Sequence, residues 1–125
     1  ATVNLIKALY RGGSEETGEY GEQLRDLKRQ ESAAARAKVL SNFALAAAGR
    51  EEWGSAIDNL REAVEVCGDC PIEATLRKNL GLVLADSGDF PGAVEELRAA
   101  RSLDDHPDIE YALGVVERAA SNPQP

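Results

Sequence analysis

The chain contains no methionine, one histidine, one tryptophan and two cysteines, and aromatic residues fill only 5% of its 125 positions. A core with so few rings has to be built from Ala, Leu, Val and Ile, which favours closely packed helices. Basic residues are scarce as well: 14 Lys and Arg against 22 Asp and Glu leave a formal charge of -8. Phosphate backbones and anionic lipid surfaces are bound by clustered cations that displace counterions, so nucleic acid is not an expected partner. No apolar run approaches the roughly 20 residues needed to span a bilayer, and no basic stretch followed by an apolar one opens the chain, so membrane insertion is not expected. The compartment stays open. The first residue is Ala1 rather than Met, which fits processing, a tag remnant or excision from a longer protein.

Groupings that carry chemistry are missing too. There is no convincing Ser/His/Asp or Cys/His arrangement, and no phosphate-cradling glycine loop. Neither catalysis nor a cofactor is expected. The carboxylate doublets Glu15-Glu16, Glu51-Glu52, Glu95-Glu96 and Asp104-Asp105 read as helix starts or turns, where acidic side chains complement the helix dipole. His106, within Asp-Asp-His-Pro, reads as a solvent-facing turn residue.

Cys67 and Cys70 are the one pair with the spacing of a reactive site. They follow a helical segment instead of preceding one inside a strand-helix-strand unit. A thiolate there faces the negative end of that helix and the neighbouring Asp69, which disfavours redox catalysis. Two residues three apart in a turn can bring their Cα atoms within the roughly 4.4 to 6.8 Å of a disulfide. The readings are a disulfide clamp, two quiet thiols, or a zinc site short of ligands unless His106 and Asp104 or Asp105 complete it. No metal site is assigned.

What the sequence has in quantity is helical periodicity. From Ser32 onward apolar residues recur three and four apart, as in Val39, Leu40, Phe43, Ala47 and in Ile57, Leu60, Val64. Breaks fall at Gly49, at Gly68 to Pro71, at Gly88 and at Asp104 to Pro107, predicting five helices joined as hairpins. Pro71 and Pro107 lie where a helix starts, and Pro91 lies in a first turn, where a missing N–H costs no bond. Residues 121–125 form a polar tail.

Sliding the chain by 37 residues superposes Asn42 on Asn79, Phe43 on Leu80, Leu45 on Leu82, Trp53 on Phe90, Ala56 on Ala93, Leu60 on Leu97 and Ala63 on Ala100. The next copy of Leu80-Gly81 is Leu113-Gly114, 33 residues on. The first interval therefore holds four extra residues, between Val66 and Ile72. Lengthening at a loop is where insertion costs least.

The run Asn79-Leu80-Gly81, Leu84, Gly88, Phe90, Ala93, Leu97 and Ala100 resembles a tetratricopeptide repeat. That resemblance implies an all-α, right-handed superhelix of about three antiparallel helical hairpins closed by a capping helix. On this reading residues 1–31 are a degenerate hairpin with helices near 3–10 and 19–31. Residues 32–70 and 71–106 are repeats, residues 107–120 are the cap, and Glu117, Arg118 and Arg101 supply its polar outer surface. The second repeat departs from the pattern, since Phe43-Ala44 stands for Leu-Gly and the turn glycine comes early, at Gly49.

The resemblance also implies a function, a non-catalytic scaffold that holds a peptide or partner helix against the first helices of its units. Lys38, Ser41, Asn42, Leu45, Lys78, Asn79, Leu82 and Tyr111 are the candidate groove residues. Lys38, Asn42, Lys78 and Asn79 resemble part of the carboxylate clamp with which some family members hold acidic C-terminal tails. Leu45 and Leu82 replace amides of that clamp, and the third helix offers Tyr111 where the clamp has a basic pair. The alternative is an assembly module that packs end to end in a homo-oligomer or in a larger array, through faces near Leu5, Leu9 and Tyr10 or near Val116 and Ala120.

Overall fold

Apolar residues three and four apart fold as five α-helices in the computed structural model, which describes residues 14–122. They are α1 (Ser14–Gly49), α2 (Trp53–Cys67), α3 (Glu73–Asp86), α4 (Phe90–Leu103) and α5 (Pro107–Ser121). Among the described residues, 33–122 belong to one packed unit and 14–32 to another. In the latter, side chains from Arg25 to Ser32 are exposed, and Asp26 pairs with Arg29.

The sequence places a helix break near residue 31, but α1 runs through it unbroken. The reason is local: no Gly or Pro occurs between Glu22 and Ala48, and the stretch from Ala33 to Ala37 is rich in the best helix former. The helix expected near 3–10 lies outside the described residues.

Within residues 33–122, α2 packs on α3, α3 on α4 and α4 on α5, and α3 also touches α5. Ala37 and Ala44 of α1 share core clusters with Ala63 and Ala56 of α2. The contacts between helices are made by small residues. Ala37, Ala44, Ala56, Ala63, Ala93 and Ala100 are all fully buried, and between them Leu60, Leu76, Leu97 and Leu113 are almost wholly enclosed. Each enclosed leucine contributes about 1.5–3 kcal/mol by leaving water.

Gly81 shows how close the approach is. A Cβ built on it lies 2.8 Å from Leu97 Cγ and 3.2 Å from the Ala93 carbonyl oxygen, so only glycine lets α3 and α4 meet. Arg77 then ties the same two helices, donating to Glu73 at 2.8 Å and to Glu96 at 3.0 Å. The Glu73 hydrogen bond, reinforced by Glu96, holds the Arg77 guanidinium more firmly protonated than usual, against a smaller opposing effect of burial.

The turns repeat with the helices. Gly88 adopts φ +98°, and Asp89 N–H donates to Leu84 O at 2.8 Å. Exactly one repeat earlier by the 37-residue shift, Glu51 adopts φ +60°, and Glu52 N–H donates to Ala47 O at 2.9 Å. The left-handed residue of the first turn is thus Glu51, not the early Gly49, which remains the last residue of α1. Asp89 caps α4 by accepting from Gly92 N–H, and His106 caps α5 by accepting from Asp108 N–H at 3.1 Å.

The lengthened loop after α2 is tied back into the core. Gly68 ends α2 in the left-handed conformation at φ +43°, donating to Val64 O. Cys67 and Cys70 are joined in a disulfide with their Cα atoms 5.0 Å apart. Both are buried in a cluster with Ala37, Ala63 and Leu76.

Gly81 and Gly114 occupy the same register but differ in surroundings, since a Cβ on Gly114 meets only the flexible end of Arg118, at 3.5 Å. Gly81→Ala is expected to destabilise the chain by about 1–3 kcal/mol through overpacking. Gly114→Ala is expected to stabilise it by about 0.5–1 kcal/mol through reduced backbone entropy. Urea denaturation of the two variants measures both.

Candidate protein-binding face

Three helices carry equivalent positions here: α1 from residue 33, α3 and α5. Shifts of 37 and then 33 residues link Leu45, Leu82 and Val115. All three are large, apolar and exposed, at 45%, 39% and 40%. The same shifts link Ser41, Lys78 and Tyr111, whose exposure rises along the series: Ser41 is 5% exposed, Lys78 is half-buried and Tyr111 is 74% exposed. One face of successive first helices therefore presents a row of aliphatic side chains beside a row that opens from Ser41 to Tyr111.

Lys38 and Asn42 are exposed, and Asn79 is half-buried. Ser41 departs from the sequence reading, because it is buried and cannot face a groove. Its hydroxyl accepts from the Asn79 side-chain amide at 3.3 Å, so this pair joins α1 to α3. Helical spacing alone cannot see this, since it depends on where the next unit lands. Val115 is the residue the sequence reading missed, although the 33-residue shift from Leu82 points straight to it.

Lys78 lines a cleft with Thr75, Asp104, His106, Asp108 and Ile109. An arriving carboxylate would meet Asp104 and Asp108 there, as well as Lys78. The electrostatics of this end of the face are mixed, not cationic.

The tetratricopeptide-repeat family model matches residues 41–108 and again residues 79–124. The chain belongs to the tetratricopeptide-repeat family. No curated protein and no solved structure matches it. Tetratricopeptide repeats generally mediate protein–protein interactions, and these helices form a helical-repeat solenoid of that kind.

Four of the side chains singled out by the sequence for possible chemistry are held in other contacts. The Cys67 and Cys70 sulfurs are bonded to each other. Arg50 donates to both Glu52 carboxylate oxygens at 3.1 Å, and this hydrogen bond, with the attraction between the charges, holds the Glu52 carboxyl below the usual range. Glu95 and Glu96 lie in the middle of α4 and not in its first turn, and Glu96 is paired with Arg77. Among the described residues no helix is long and apolar enough to cross a membrane.

The Ser41–Asn79 pair gives a measurable asymmetry. Asn79→Ala strips a buried hydroxyl of its side-chain partner and is expected to cost about 1–3 kcal/mol. Ser41→Ala removes that buried polar group and leaves the half-exposed Asn79 amide to water, so it is expected to cost less. Chemical denaturation that ranks the two in the opposite order would contradict the assignment of this bond as structural.

Proposed function

We propose that this repeat array is a non-catalytic scaffold whose first-helix face binds an extended peptide or a partner helix through apolar side chains. The observation that carries this reading is the row Leu45, Leu82 and Val115, exposed at equivalent positions of three successive units. Leaving three large aliphatics in water at one repeated position costs solubility without adding to the core, and a bound segment recovers that cost. Tyr111, 74% exposed beside the row, supplies an aromatic surface with a polar tip of the kind enriched at binding hot spots.

The charge pattern favours a particular partner. Asp104 and Asp108 lie in the cleft with Lys78, and the whole chain carries a formal charge of -8. An acidic tail gripped by its terminal carboxylate is disfavoured in these surroundings. A segment with spaced apolar side chains and flanking Lys or Arg suits them, with the surface charge speeding its approach. Lys38, Asn42 and Lys78 then contact the segment's backbone and polar side chains.

Selection of a displayed library of dodecapeptides on the full chain tests this. Enriched peptides are expected to carry apolar residues with basic flanks, and to lose about tenfold or more in affinity on Leu82→Asp or Tyr111→Ala. Leu82 and Tyr111 are exposed, so the melting temperature stays near that of the parent. Enrichment of acidic C-terminal tails, or peptides indifferent to Leu82→Asp, would contradict the proposal.

A further inference from the structure

A second surface emerges when the three first helices are compared on their other side. The shifts of 37 and 33 residues link Val39 to Leu76 and Ile109, Phe43 to Leu80 and Leu113, and Ala46 to Val83 and Val116. In α3 the exposures of the three are 1%, 2% and 3%, and in α5 they are 3%, 1% and 4%. In α1, Val39 is 53% exposed and Phe43 is 63% exposed, and Ala46 is exposed with them. One apolar stripe is thus buried in two units and bare in the third.

What covers the stripe is the same in both buried cases. Leu76 lies with Ala63 and Cys67 of α2, and Leu80 and Val83 lie with Ala56 and Leu60 of that helix. Leu113 and Val116 lie with Ala93 and Leu97 of α4, and Ile109 lies with Ala100. The covering helix presents Ala-x3-Leu-x2-Ala each time, as Ala56, Leu60, Ala63 and as Ala93, Leu97, Ala100. All six of those residues are 0% exposed. The small residues admit the neighbouring helix, and the leucine fills the space between its large side chains.

Of the two residues expected at the α5 end face, Val116 is part of the core and Ala120 is exposed. We infer that the Val39, Phe43 and Ala46 face of α1 is a docking site for a helix of a partner protein that carries the same Ala-x3-Leu-x2-Ala stripe. The interface it forms continues the one this chain makes twice with itself. It is separate from the Leu45, Leu82 and Val115 row, so the two surfaces can be occupied and disabled independently.

The sequence of this chain contains the stripe once more, at Ala1, Leu5 and Ala8, so a fluorescent synthetic peptide of residues 1–12 is a ready probe. Added to the full chain, and to the full chain with Leu5→Asp so that its own copy of the stripe cannot compete, it is expected to bind both equally, saturably and weakly, since so short a helix must form on binding. Binding to the Leu5→Asp chain alone overturns the inference, because the face would then belong to the chain's own first residues. Phe43→Asp in the chain, or Leu5→Asp in the peptide, is expected to weaken binding about tenfold or more. Leu82→Asp is expected to leave it unchanged, which keeps this test independent of the groove. Phe43 is exposed, so Phe43→Asp should melt with the parent chain. Absence of saturable binding, or binding that survives Phe43→Asp, overturns the inference. So does a concentration-dependent dimer in light scattering that Phe43→Asp dissolves, because the face would then belong to a second copy of the chain.

Discussion

The close approach of helices at alanine and glycine is the constraint on which the rest of this structure depends. Aromatic side chains are too few to fill wide gaps, so the helices must come near enough for Leu, Val and Ala to fill the space between them. Gly81 against Leu97 and Ala93 is the tightest case, and the fully buried alanines of α2 and α4 are the repeated one. Once those contacts are made, Arg77, already paired with Glu73 on its own helix, comes within reach of Glu96 on the next. The larger side chains are sorted by the same geometry. Positions facing a neighbouring helix are enclosed, and positions facing neither neighbour stay exposed.

That sorting explains why the family relationship and the binding reading arise together. In a stacked array every unit contributes the same few positions to its surface, so a functional face is a row at a fixed register. Leu45, Leu82 and Val115 form an exposed row of this kind, the one we propose binds a partner, and Ser41, Lys78 and Tyr111 form a second that is closed at one end by the Ser41–Asn79 hydrogen bond. Val39, Phe43 and Ala46 belong to a different register, one that stacking normally consumes. The two surfaces follow from one rule applied to two sides of the same helices.

Much of this was legible in the sequence because periodicity survives in the identity of single residues. The 37-residue and 33-residue shifts align the small residues correctly, and they locate the lengthened loop at Gly68 to Pro71, which the structure closes through Cys67 and Cys70. Other features were not legible, each for a physical reason. The helix through residue 31 follows from the absence of a breaker, and absence is a weaker signal than a proline. The left-handed residue of the first turn is set by the hydrogen bond from Glu52 N–H to Ala47 O, which puts Glu51, a residue with no intrinsic taste for that conformation, at φ +60°. Ser41 looks solvent-facing on its own helix and is buried only because α3 lies over it. Glu95 and Glu96 resemble a helix start until Asp89 is seen to cap α4 six residues earlier.

Native-state hydrogen exchange read residue by residue tests the central claim most directly, namely that α3 and α4 are enclosed by stacking on both sides while α1 has one face bare. The account predicts that the slowest amides lie in α3 and α4, around Leu80 and Leu97, and that those of α1 around Val39 and Phe43 exchange about tenfold faster or more. Amides near Phe43 as slow as those near Leu80, in the chain alone and at low concentration, would contradict it.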